Sequence, residues 1–187
     1  VLAACALAGA AGADVDAMRQ VAASFAGVPH RLQLVRELRG VRYYDDSIAT
    51  APERLIAALR SFDEPIILLC GGRDKHLPWE DAAQLIVKRV SHLVLFGEMA
   101  GLVESQISNV KHQHLQGSAA QVQASQIVDS GCQVLAAGTL ENAVKVAASL
   151  AQPGDVVLLS PGGTSFDAFK DFAERGSKFA EYVNGLE

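Results

Sequence analysis

Cysteine is scarce in this 187-residue chain: Cys5, Cys70 and Cys132 are odd in number, widely spaced and each in apolar company. A secreted disulfide scaffold wants an even count and a zinc site wants paired Cys-x-x-Cys spacing. Both are excluded, and buried free thiols in a reducing cytosol are expected. Basic charge is short as well. Sixteen Lys and Arg stand against twenty-one Asp and Glu, a formal charge of −5, the wrong balance for a protein whose main work is gripping nucleic acid phosphates. The apolar stretch Val1 to Ala13 is short, Ala-rich and without a basic n-region, so neither a membrane span nor a signal peptide is expected. Gly-x-x-x-x-Gly-Lys-Ser/Thr and Gly-x-Gly-x-x-Gly are missing, and with them a phosphate-gripping loop of the chain's own for ATP or NAD. No Gly-x-Ser-x-Gly elbow offers a serine nucleophile. His92, His112 and His114 make no metal set, because His112 and His114 stand two apart with no acidic or thiol partner nearby.

What is present describes a globular α/β chain. Half the residues are hydrophobic and 20% charged, with 16 Gly and 6 Pro, which excludes disorder and collagen. The length suits one domain with a small appendage. Val1 to about Phe25 has a helical pattern, loosened by Gly9 to Gly12, with Asp14 placed to cap a second helix through Val15, Met18 and Val21. Two such helices cannot close a core. Residues 1–28 therefore read as the remnant of a preceding domain, and a chain that opens on Val in mid-helix is expected to be cut from a longer protein.

After Pro29 the period changes. Leu32 and Leu34, then Val41 and Tyr43, alternate on either side of Arg39-Gly40 and predict an antiparallel hairpin. Strands and helices then take turns: a helix over 51–61 with Thr50 as its cap, a buried strand over 66–70, a helix over 79–90, a strand over 93–96 and a helix over 98–107. A short strand over 133–135, a helix over 140–151, a strand over 156–159 and a long helix over 165–184 complete the chain. Strand, glycine loop and helix in repetition predict a Rossmann-like, mostly parallel sheet with helices on both faces. The stretch 109–131, rich in Gln, Ser and His, reads as an insertion or mobile lid.

In such a sheet ligands bind at the carboxyl ends of the strands, where helix N-termini converge. Three loops lie there: Asp45 to Thr50, Gly71 to His76, and Ser160 to Ser165. In the third, Gly162-Gly163 and Ser165 at a helix start suit a carboxylate or phosphate cradle, or a plain N-cap by Thr164 or Ser165. Lys75 can pair with a ligand anion or be a solvated loop lysine, with Arg73 and Asp74 bridging each other beside it. Asp46 suits ribose hydroxyls or an Asx turn, and Asp45 points to the opposite side. Arg31, with His30 at the junction of the two parts, can reach a phosphate held by a neighbouring domain or make a hinge salt bridge.

Gly27-Val28-Pro29-His30-Arg31, Asp45-Asp46-Ser47-Ile48-Ala49-Thr50, Gly71-Gly72-Arg73-Asp74-Lys75 and Leu158 to Phe179 together resemble the C-terminal part of the Mur ligases of peptidoglycan synthesis, and among them the D-glutamate-adding branch. The resemblance runs in register over nearly the whole chain, except 109–131. It implies a three-domain ligase dependent on ATP and Mg²⁺, in which 1–28 are the last helices of the central ATP-binding domain and 29–187 the C-terminal, amino-acid-binding domain. By resemblance, ATP phosphorylates the carboxylate of UDP-N-acetylmuramoyl-L-alanine and the D-glutamate amine attacks the acyl phosphate. The matching residues are Thr50 and Lys75 at the side-chain carboxylate of D-glutamate, Ser165 and Phe172 at its α-carboxylate, and His30, Arg31 and Asp46 at the nucleotide. Ile48 stands where some relatives have a nucleotide-contacting Lys. No residue of this part is expected to be catalytic or to hold metal, the fragment alone is expected to be inactive, and packing on upstream domains in the cytoplasm is implied. The competing readings are a sister Mur ligase, a folylpolyglutamate synthase, or a non-catalytic α/β module that binds nucleotides or anions.

Overall fold

The computed structural model describes residues 2–118 and 131–187. Two helices, α1 (Leu2–Ala10) and α2 (Val15–Ser24), come first, and neither buries a residue. Asp14 caps α2 as expected, accepting from the N–H groups of Asp16 and Ala17 at 2.9 and 3.0 Å.

The rest is a six-stranded sheet. Strands β1 (Gln33–Leu38) and β2 (Val41–Asp45) form the expected hairpin, turning through Arg39 and Gly40, both at positive φ. Then come α3 (Pro52–Leu59), β3 (Ile66–Gly71), α4 (Glu80–Arg89), β4 (Val90–Phe96), α5 (Ala100–Ser118), β5 (Gln133–Gly138), α6 (Leu140–Leu150), β6 (Val156–Gly162) and α7 (Phe172–Asn184). The strand order is β1-β2-β6-β3-β4-β5, and every pairing except β1 with β2 is parallel.

Strands β3 and β6 are buried along their whole length, and their two-residue period sends alternate side chains into two cores. Ile66, Leu68, Cys70, Val156 and Leu158 meet Leu55, Leu59, Ile86, Val103 and Ile107 of α3, α4 and α5 on one face. Ile67, Leu69, Val157 and Leu159 meet Leu140, Val144, Phe179 and Val183 of α6 and α7 on the other. Helices thus cover both faces, and β6, the last strand, lies between β2 and β3. That insertion brings the carboxyl ends of β2, β6 and β3 side by side.

The structure corrects three expected boundaries. Helix α5 runs eleven residues past Ile107, and its buried stripe of Val103 and Ile107 continues to Val110. Residues 109–118, expected in the insertion, belong to that helix, and 119–130 lie outside the described residues. Helix α7 starts at Phe172, not at Ser165. Asp171 is its cap, accepting from Glu174 N–H at 2.8 Å, while the Glu174 carboxylate reaches back to Lys170 N–H at 2.7 Å. Thr50 does not cap α3: the cap position is Ala51, without a side-chain bond, and Pro52 opens the first turn. Among the described residues no helix is long and apolar enough to cross a membrane.

Candidate functional site

The three loops are stitched together by backbone. Arg73 and Thr164 form an antiparallel bridge, each N–H donating to the other's carbonyl at 2.9 Å. Gly162 N–H donates to Ala49 O at 2.9 Å, and Asp46 N–H to Leu159 O at 2.8 Å. Adjacent strand ends therefore carry one continuous rim.

Lys75 and Thr50 meet on it. The Lys75 ammonium donates to Thr50 Oγ1 at 2.9 Å and has no carboxylate partner among the described residues. The hydroxyl that was expected to cap a helix is turned to a cation instead. Arg73 does not pair with Asp74: its guanidinium grips both oxygens of Glu98, at 2.8 and 2.9 Å, and Asp74 pairs with His76 at 3.0 Å. A planar fork matches a carboxylate bidentately, which leaves Lys75 as the uncompensated charge of the second loop.

The third loop is built otherwise than expected. A Cβ on Gly162 would lie 2.5 Å from the Trp79 ring, and one on Gly163 would lie 2.3 Å from Met99 Sδ. The space these glycines leave is filled by the protein's own core side chains rather than held open for a ligand. Ser165 is buried, one residue beyond the bridged Thr164, and its carbonyl closes a turn by accepting from Ala168 and Phe169. Neither Ser165 nor Thr164 caps α7. No hydrogen bond joins Ser165 to Lys75. Phe172 stands at the first position of α7, half-exposed, where first-turn N–H groups have no helical acceptor.

The residues expected at the junction and the nucleotide divide between two environments. Asp45 and Asp46 point to opposite sides, as the strand period requires. Asp45 pairs with the His30 ring at 2.7 Å and accepts from Ser47 N–H at 2.9 Å, and the His30 ring also meets Phe172 edge-on at 6.2 Å. His30 thus ties the junction to α7. Asp46 accepts from the Ser160 hydroxyl at 3.0 Å and from Leu32 N–H at 3.2 Å, and it borders a cleft of about 120 Å³ shared with Arg31, Ile48 and Arg54. Among the described residues no three His, Cys, Asp or Glu side chains gather as a metal set.

Burial pushes the Asp46 carboxyl up to about 6, against the bonds from Ser160 and Leu32 that favour the anion. Its ordinary value is 3.8. Below both values the carboxyl is protonated in folded and unfolded chains alike and contributes nothing. Between them the unfolded chain loses its proton first, so stability falls as pH rises, and above about 6 the whole cost is present. Asp46→Asn is expected to stabilise the chain by about 1–3 kcal/mol at pH 7.5 and to be neutral at pH 4. Urea unfolding of both proteins at the two pH values checks this, and an equal difference at both would sink it.

One residue that sequence reading included in the resemblance but gave no role holds the rim from beneath. Arg175 is fully buried. It donates from Nε to Ser47 Oγ at 2.9 Å, from Nη2 to Ser47 O at 2.9 Å and from Nη1 to Gly163 O at 3.1 Å. Ser47 in turn donates its hydroxyl to Phe172 O at 2.8 Å. First loop, third loop and α7 are joined through one guanidinium, whose own value burial lowers to about 10. The available signal was an arginine on the apolar stripe of a helix, one turn before Phe179.

Residues 30–163 match the Mur ligase, glutamate ligase domain. The chain is 44% identical over 174 residues to the UDP-N-acetylmuramoylalanine--D-glutamate ligase of Acetivibrio thermocellus, covering 93% of this chain and 35% of that protein. It is 37% identical to the ligase of the same name from Clostridium perfringens, covering 92% and 35%. The chain thus spans about a third of the length of the curated relatives it matches. Among solved structures, a murein peptide ligase of Psychrobacter arcticus superposes with a TM-score of 0.57 at 15% identity, over 97% of this chain and 35% of that one. A bifunctional folylpolyglutamate synthase/dihydrofolate synthase of Yersinia pestis gives 0.55 at 16%, over 90% and 34%. At these identities the two structures speak for the fold.

Proposed function

Since the chain belongs to the Mur ligase family through its glutamate ligase domain, we propose that it is the amino-acid-binding part of an ATP-dependent ligase that joins D-glutamate to UDP-N-acetylmuramoyl-L-alanine in the cytoplasm. The observation that carries this reading is the Lys75 ammonium, bound to Thr50 Oγ1 at 2.9 Å on a rim knit from three loops and otherwise uncompensated. D-Glutamate is a dianion with one ammonium. Its side-chain carboxylate meets Lys75 and Thr50, and its α-carboxylate meets the Ser165 hydroxyl and the first-turn N–H of Phe172. Held at both ends, the substrate can present its amine, once deprotonated, to an acyl phosphate. Attack there forms the amide bond as the carbon–oxygen bond to phosphate breaks.

Arg31 and Asp46 face the nucleotide, Arg31 toward the phosphates and Asp46 as acceptor for ribose hydroxyls. His30 supports that edge through Asp45. Mg²⁺ belongs with the ATP-binding domain. Residues 1–28 are the last helices of that domain. In support, α1 and α2 bury nothing, and Leu2, Leu7, Val15, Val21, Phe25 and Val28 are exposed, an apolar surface suited to packing against upstream chain.

In the full-length enzyme, Lys75→Ala is expected to raise the KM for D-glutamate between tenfold and a hundredfold, the range for losing one charge-assisted bond, with the KM for ATP unchanged. Steady-state kinetics with D-glutamate, L-glutamate and meso-diaminopimelate test both role and substrate. An unchanged D-glutamate KM, or preferred use of meso-diaminopimelate, would overturn the assignment, as would ligase turnover by residues 1–187 alone.

A further inference from the structure

The cleft beside Asp46 contains a cation that the proposed function does not use. Arg54 lies in the first turn of α3, exposed, and lines the same space of about 120 Å³ as Arg31 and Asp46. Among the described residues no carboxylate or carbonyl pairs with its guanidinium, whereas Arg42 and Arg73 are held by Glu64 and Glu98. Among the described residues the Arg31 side chain likewise makes no hydrogen bond, though its charge acts on Asp46. Apart from Ser61, the rest of the lining is apolar, from Leu32, Ile48, Ala49, Ala57 and Ala58. At the edge sits the Asp46 carboxylate, which accepts one hydrogen bond on each oxygen and has lone pairs to spare.

Each component narrows the occupant. Inorganic phosphate would satisfy the arginines but leave the apolar wall bare and set its charge against Asp46. A neutral nucleoside would suit the wall and the carboxylate and leave two guanidinium groups facing nothing. A nucleoside polyphosphate uses all three, since its diol donates to Asp46, its sugar lies along the alanines and its phosphates meet the cations. We propose that Arg54 is a second cationic ligand of the nucleotide, acting with Arg31 on its phosphates. This rests on the nucleotide reading given above. With Ile48 contributing only hydrocarbon to the cleft, Arg54 is the side chain that supplies this charge from α3.

The test is calorimetric titration of the full-length enzyme with ADP and, separately, with adenosine, for wild type, Arg54→Ala and Arg54→Gln. Both substitutions sit on an exposed helix face and leave the fold intact. ADP affinity is expected to fall fivefold to twentyfold in both variants, with adenosine affinity and the D-glutamate KM unchanged. ADP affinity equal to wild type overturns the proposal, and so does an equal loss for adenosine, which would make Arg54 part of the wall rather than a reader of charge. If the wild type ligates D-glutamate while the variants bind ADP normally, only Arg54 is misassigned. If the wild type binds no ADP at all, the functional reading fails with it.

Discussion

Arg175→Met is expected to destabilise the chain by about 3–5 kcal/mol, the range for breaking a buried charged network from one side. Methionine nearly fills the volume, so the loss is one of hydrogen bonds and charge rather than of packing. Three donors disappear, and Ser47 Oγ, Ser47 O and Gly163 O lose the guanidinium that satisfies them in a dry interior. The carboxylates of Asp167 and Asp45, which face this charge and favour it, lose their compensation too. Arg175→Lys is expected to recover less than half of the stability, because an ammonium at one point cannot reach both Ser47 and Gly163 as a planar fork does. Urea unfolding measures the loss, and amide shifts confined to 45–50 and 160–172 would locate it. A cost below 1 kcal/mol for Arg175→Met would show that the rim is held by its backbone bridges alone.

The uneven legibility of this site in the sequence has the same origin. Buried strands announce themselves: Ile66 to Cys70 and Val156 to Leu159 are continuous apolar runs between turn residues, and the sheet follows from their alternation with amphipathic helices. Single loops follow rules too, and Asp14 behaves as a cap because capping is decided within three residues. The Asp-x-x-Glu pattern of Asp171 and Glu174 marks the start of α7 in the same local way, but Thr164 and Ser165 offered an earlier cap, and the helix was expected to begin there. Pairings across loops carry no such mark. That Arg73 chooses Glu98 over adjacent Asp74, or that Thr50 turns to Lys75 rather than to its own helix, depends on which strand ends lie side by side. The insertion of β6 between β2 and β3 decides that. The glycines at 162 and 163 were visible as special, yet only the positions of Trp79 and Met99 show that core packing, not a ligand, requires them.

Gly72→Ala is expected to be as costly as the loss of Arg175, for a reason that a pair of glycines does not reveal. Its φ is +106°, where a side chain is strained, and a Cβ there would lie 2.1 Å from Thr164 O and 2.9 Å from Arg175 Nη1. Thr164 O is the acceptor for Arg73 N–H, so the methyl group can enter only if the bridge opens. That forfeits two backbone bonds of 2.9 Å and the 3.2 Å bond from Thr164 Oγ1 to Arg73 O. Strain of about 1–3 kcal/mol together with about 1 kcal/mol for each of the three lost bonds gives roughly 4–6 kcal/mol. Gly154 supplies the control: its φ is +100°, but nothing lies within 4 Å of its Cβ position, so Gly154→Ala carries the strain without the collision. Unfolding of the two variants side by side should differ by at least 2 kcal/mol. On the proposed function, only Gly72→Ala should raise the KM of the full-length protein for D-glutamate, since Lys75 stands two residues beyond Arg73 and Ser165 one beyond Thr164. Equal losses in the two proteins would mean that the bridge positions neither residue.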